Sequence, residues 1–133
     1  MTPIEKLQQT VRGQEARATR RETDWAFEFG TGNFINVEAA WRIRNTERIL
    51  LVDTDDGQQF GLPSPVDAAS TANNVLSGRA TQSVAFNEVT GDLTLQLSGS
   101  LWLEVLTNSS GYESWQAYSQ GELIAVGGNG GLR

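Results

Sequence analysis

The residues able to do chemistry in this chain are few in kind. Its 133 residues include no His and no Cys. That excludes thiolate nucleophiles, disulfides, Cys/His zinc sites and imidazole acid–base chemistry. Carboxylates, Tyr, Arg, Lys, Ser and Thr remain. The most distinctive string is Gly111-Tyr112-Glu113-Ser114-Trp115, which sets a carboxylate between two amphipathic aromatics. It sits where a turn should pass into a strand. Trp and Tyr dominate the energetic hot spots of protein interfaces, so one reading makes Tyr112, Glu113 and Trp115 recognition contacts. On an extended strand Glu113 and Trp115 share one face, with Tyr112, Ser114 and Gln116 on the other. A second reading is a small-molecule or carbohydrate-binding domain or a weak hydrolase, which would pair Glu113 with Glu104 of the preceding strand. Two such carboxylates could stand at the ~5–5.5 Å of a retaining glycosidase or the ~6.5–9.5 Å of an inverting one. The plainest reading is an aromatic core residue beside a surface glutamate.

Two further strings invite a metal or an anion. Asp53-Thr54-Asp55-Asp56-Gly57 opens like a calcium loop, but the fifth position is Gly57, the sixth Gln58 and the twelfth Ser64. An EF-hand needs a ligand, a Gly and a Glu at those three places. The segment therefore reads as an Asp-Gly hairpin turn, with Asp55 and Asp56 available to a partner rather than to an ion. No metal and no cofactor is expected. Arg17, Arg20 and Arg21 could fork around an oxyanion. Glu15, Glu22 and Asp24 surround them, which favours a solvated, charge-balanced segment. The Gly-rich tail from Gly127 to Arg133 lacks the following helix that a phosphate loop requires.

Charge narrows the partners. The net charge is −6, with 16 acids against 10 bases. Residues 1–48 hold eight bases and seven acids, and residues 49–133 hold two bases and nine acids. Nucleic-acid binding usually shows a basic face, so no nucleic acid is expected and a basic protein surface is the better match. There is no apolar run near the ~20 residues of a membrane span and no leader pattern. The expected setting is the cytoplasm, with no membrane partner.

These side chains need elements to hold them. Thr2, Pro3 and Glu5 form a helix-start signature, and Ile4, Leu7 and Val11 make one apolar stripe. Gly13 closes a helix over about residues 3–12. That helix could be peripheral. Ser64, Pro65 and Asp67 repeat the start signature, and Ala69, Ala72, Val75 and Leu76 continue to a stop at Gly78. Between the helices the period is two. Trp25, Phe27 and Phe29 face one way, then Ile35, Val37, Ala39, Trp41 and Ile43 alternate along one long strand. Ile49–Val52 is apolar on both faces and reads as a central strand. Gln58–Leu62 would return from the Asp-Gly turn. Residues 79–127 read as a five-strand meander, with turns at Thr90–Asp92, Ser98–Ser100, Asn108–Gly111 and Gln120–Gly121. Trp25, Trp41 and Trp102 have apolar neighbours and read as core. The fold class is α+β in a single domain: a largely antiparallel sheet of N-terminal hairpins and a C-terminal meander. Two helices, or a second sheet layer, cover its apolar face.

The strings Trp25-Ala26-Phe27-Glu28-Phe29-Gly30, Trp41-Arg42-Ile43, Gly111-Tyr112-Glu113-Ser114-Trp115 and Gly127-Gly128 together resemble a family of small bacterial α+β domains. That family is similar to immunity proteins of polymorphic toxin systems. The resemblance spans about residues 22–131, outside the N-terminal helix. It implies a non-enzymatic module that blocks a cognate toxin, and it carries over no catalytic residue. The expected partner is a protein, a basic toxin domain being the specific form. Tyr112, Glu113, Trp115, Asp55, Asp56 and Glu104 are its candidate contacts.

Overall fold

A computed structural model describes residues 1–128. Ten strands form two five-stranded antiparallel sheets. In chain order the strands are β1 (Ala16–Arg20), β2 (Trp25–Phe29), β3 (Asn33–Val37), β4 (Ala40–Arg44), β5 (Ile49–Val52), β6 (Thr81–Phe86), β7 (Leu93–Leu97), β8 (Leu101–Leu106), β9 (Glu113–Ser119) and β10 (Glu122–Gly128). The first sheet runs β1-β2-β3-β9-β10 and the second β5-β4-β8-β7-β6. Helix α1 spans Pro3–Val11 and helix α2 spans Ala68–Leu76.

The alternation of side chains produces one shared core. Trp25, Phe27, Phe29, Ile35 and Val37 bury from the first sheet, and Trp41, Ile43, Leu93, Leu95, Leu97, Leu101, Leu103 and Val105 from the second. Trp41 is the junction: Trp25 and Phe27 meet its ring edge-on, with centroids 4.9 and 5.2 Å away. Edge-to-face contact of this kind adds about 0.5–1.5 kcal/mol to what burial alone supplies.

The helices close the sides of the sandwich. α1 packs on β10 and β6, one edge strand from each sheet, and α2 packs on β1 and β5, the other two edges. α1 is therefore not peripheral; Leu7 and Val11 are buried in the main core. It starts as the sequence indicates. The Glu5 N–H donates to Thr2 Oγ1 and the Thr2 N–H donates to Glu5 Oε1, and Gly13 follows at φ +78°. The corner between the sheets is tied by backbone: the Gly13 and Thr81 amides donate to the Thr81 and Gln14 carbonyls at 2.8 and 2.9 Å.

Several expectations need correction. The long strand from Ile35 to Ile43 is two strands in different sheets, with the chain crossing at Glu38–Ala39. The inward parity survives the crossing because both sheets face the same core. The meander divides likewise: β6, β7 and β8 are neighbours, while β9 and β10 belong to the other sheet. Ile49–Val52 is an edge strand, paired only with β4 among the described residues. Only Leu51, opposite Ile43, is buried; Val52 lies opposite Arg42 on the outer face and Ile49 is exposed. Asp53–Asp55 is a 3-10 turn, not a hairpin, and Gln58–Leu62 forms no strand. α2 is capped by Asp67, whose carboxylate accepts from the Ser70 N–H at 3.2 Å; Ser64 lies outside the helix. Trp102 is half-buried on an outer face rather than in the core. Gly127 and Gly128 complete β10, and the remainder of the Gly-rich tail lies outside the described residues. Among the described residues, no helix is long and apolar enough to cross a membrane.

Candidate functional site: an acidic groove at one end of the sandwich

Two open clefts meet at one end of the molecule. One, of about 400 Å³, is lined by residues of the β1–β2 turn, the β3–β4 crossover and the 3-10 turn, including Glu22, Asp24, Glu38, Asp53 and Asp56. The other, of about 580 Å³, is lined by Glu38, Asn108, Ser109, Gly111, Tyr112 and Glu113. Glu38 and Asn108 line both, so the two clefts adjoin, and together they make the acidic groove. Six carboxylates line it, from Glu22, Asp24, Glu38, Asp53, Asp56 and Glu113, against the single guanidinium of Arg20.

The local chain explains why these groups stay there. Backbone amides exposed where strands end need acceptors, and aspartates supply them. Asp53 Oδ1 accepts from the Trp41 N–H at 3.4 Å, Asp55 Oδ2 from the Val52 N–H at 2.9 Å, and Asp56 Oδ1 from the Ala68 N–H at 2.9 Å. Asp56 also faces Arg20 at 3.4 Å, and that guanidinium lies over the Trp25 ring. Arg21 grips Asp24 with two parallel bonds of 2.8 and 2.6 Å. This hydrogen-bonded carboxylate raises the Arg21 pKa above its ordinary value. Glu38 Oε2 accepts from Gln116 Nε2 at 2.8 Å, fixing the carboxylate at the centre of the groove.

Tyr112 is presented by a local hydroxyl turn. Ser109 Oγ accepts from the Gly111 and Tyr112 amides at 3.1 and 3.0 Å. The Tyr112 side chain stands 80% exposed at the rim. Glu113 follows it, exposed at the start of β9.

Of the residues singled out from sequence, the fold gathers Tyr112, Glu113 and Asp56 along this groove, with Asp55 in the adjoining 3-10 turn. It does not bring the other two there. Trp115 is 0% exposed, its indole N–H donating to the Gly91 carbonyl at 3.2 Å. It is a core residue and cannot be a surface contact. Glu113 and Trp115 also do not share a face in the expected way. β9 is irregular here, with Ser114 and Trp115 both buried and a register shift opposite them at Gly127/Gly128. Glu104 lies on the second sheet, on the outward side of β8, paired to Arg42 and Arg44. Glu104 and Glu113 thus belong to different sheets, and the paired-carboxylate arrangement is not formed.

Sequence reading missed Glu22, Asp24, Glu38, Asp53 and Asn108 as groove residues. Their only signal is a position at strand ends. Among the described residues, no group of three or more Asp or Glu side chains is placed to hold a metal ion. What the groove can do is accept hydrogen bonds and attract positive charge. Compared with protein-family models, curated proteins and solved structures, the chain matches none.

Proposed function

We propose that this chain is a non-enzymatic protein-binding module that acts in the cytoplasm and docks a basic protein surface on its acidic groove. The resemblance to immunity proteins makes the specific form of this reading a toxin domain blocked by steric and electrostatic cover. One observation carries it: two adjoining clefts with six acidic lining residues and a rim tyrosine held 80% exposed by its own turn. An exposed Tyr offers large rigid contact area, and surrounding acids steer a basic partner toward it.

Co-purification with the product of the adjacent gene, followed by binding kinetics across a salt series, tests the proposal. The association rate falls steeply as salt rises while dissociation changes less. Tyr112→Ala weakens affinity by about tenfold or more, the size of a hot-spot loss. Failure to bind that product, or a Tyr112→Ala protein that binds it as tightly as the parent, would sink the proposal.

A further inference from the structure

The outward face of the second sheet carries an arrangement of different chemistry. Cross-strand register places Arg42 opposite Glu104 and Arg44 opposite Trp102, and continues to Thr94 and Gln96 on β7. Arg42 and Arg44 are two residues apart on one strand, so their side chains leave the same face roughly 7 Å apart. Glu104 holds both: Arg42 Nε donates to Oε1 at 2.7 Å, and Arg44 Nε stands 3.1 Å from Oε2. The Arg44 guanidinium also lies 4.4 Å from the centre of the Trp102 ring.

Glu104 is 13% exposed, whereas the two arginines are 35% and 34% exposed. The carboxylate is thus the sunken member. Two guanidinium charges share one carboxylate, leaving one positive charge on this face in a chain of net −6. Glu104 contacts both arginines through Nε. Arg44 Nη1 donates to the Asn45 carbonyl at 3.2 Å. Among the described residues no hydrogen bond takes the Nη groups of Arg42.

We infer that Arg42 and Arg44, both held by Glu104 and the second also by the Trp102 ring, form a binding site for a small ligand bearing an oxyanion, a phosphate or a carboxylate. The guanidinium fork matches such groups in bidentate fashion. Immobilising long side chains on binding usually costs about 0.5–1.5 kcal/mol each. Glu104 and the Trp102 ring have already restricted these two. Thr94 and Gln96, half-exposed at the neighbouring positions, add neutral hydrogen-bonding groups beside the fork. The site is separate from the acidic groove, and neither proposal depends on the other.

The test is a titration of the full chain followed by proton–nitrogen correlation spectra that include arginine Nε–H and tryptophan indole signals. The probes are inorganic phosphate and citrate, each against sodium chloride at matched ionic strength. Saturable shifts at Arg42, Arg44 and Trp102 are expected with at least one probe. Phosphate alone would assign a phosphorylated ligand, citrate alone a carboxylate, and both the shared oxyanion chemistry. Arg42→Lys keeps the charge but loses the fork, and should weaken the fitted affinity at least fivefold; Arg17→Lys on β1 should leave it unchanged. Shifts that merely follow ionic strength, shifts spread evenly over all arginines, or an Arg42→Lys protein that binds as tightly as the parent would each overturn the inference.

Discussion

Asn73 of α2 occupies both polar groups of Ala18 on the edge strand β1. Its Oδ1 accepts from the Ala18 N–H at 2.7 Å and its Nδ2 donates to the Ala18 carbonyl at 2.9 Å. One side chain thereby substitutes for a residue of a neighbouring strand. Open strand edges invite pairing with other chains, and a helix that hydrogen-bonds the edge prevents it.

Asn73→Ala removes both bonds and leaves part-buried backbone groups without partners. A loss of about 1–3 kcal/mol is expected, read as a lower urea midpoint with an unchanged slope. Light scattering should also rise at high protein concentration, because the β1 edge is uncovered.

The cap of α2 separates two residues that look alike in sequence. Asp67→Ala should cost about 0.5–2 kcal/mol. Ser64→Ala should stay within about 0.5 kcal/mol, as surface changes usually do. Denaturant melts of the two variants side by side decide between them.

Gly127 admits no side chain. A Cβ built there would overlap the Trp115 indole, and Trp115 is fixed by the surrounding core. Gly127→Ala should cost about 1–3 kcal/mol or more through overpacking. Thermal unfolding checks this, and a matching Gly111→Ala control, which meets nothing within 4 Å, should be far milder.

Glu104 links stability to acid. Burial pushes its carboxyl up, but hydrogen bonds and charge from Arg42 and Arg44 outweigh that and hold it below the ordinary carboxylate value. A carboxyl lowered in the folded state contributes stability above its unfolded pKa, and the contribution disappears as pH falls through the folded pKa. Glu104→Gln should therefore lose about 1 kcal/mol at neutral pH, a modest figure because solvent screens the arginines. Its stability should fall less steeply than the parent's on acidification. Urea midpoints across a pH series measure both.

Calcium should do nothing. The carboxylates of Asp53, Asp55 and Asp56 each accept from a backbone amide in a different part of the chain. A melting temperature unchanged in millimolar calcium is the expected result, since any ligand of the folded state would raise it.

How much of this was legible depended on which quantity survives folding. The strand alternation of Trp25, Phe27 and Phe29, or of Leu93, Leu95 and Leu97, reports directly on one buried face, and it was readable. The crossing at Glu38–Ala39 was hidden because Val37, Ala39 and Trp41 keep their parity through it. Ser64-Pro65 and Asp67 offer two competing helix starts. The choice is made by distant bonds: Gly57 N–H donates to the Val66 carbonyl and Val66 N–H to the Gln58 carbonyl, keeping that stretch out of the helix. Ile49–Val52 misled because its apolar run continues past the one buried position, Leu51, onto an exposed Ile49 and half-buried Leu50 and Val52. The acidic groove was only half visible. Its Glu22, Asp24 and Glu38 come from the segment whose charges nearly cancel, so a count by segment could not locate it.

The joining of β3 to β9 governs how this protein is made. β3 ends at Val37 and β9 begins at Glu113, so on the ribosome β3 has no partner on its far side until β9 has emerged. At roughly 5–20 residues per second, that wait lasts about 4–15 s. During it, the second sheet, whose last strand ends at Leu106, emerges ahead of β9, but β3 keeps one edge unpaired. Closure of such long-range pairing is slow in its own right, on the order of milliseconds to seconds. The nascent chain therefore carries an open β3 edge, a template for pairing with other chains, until β9 appears.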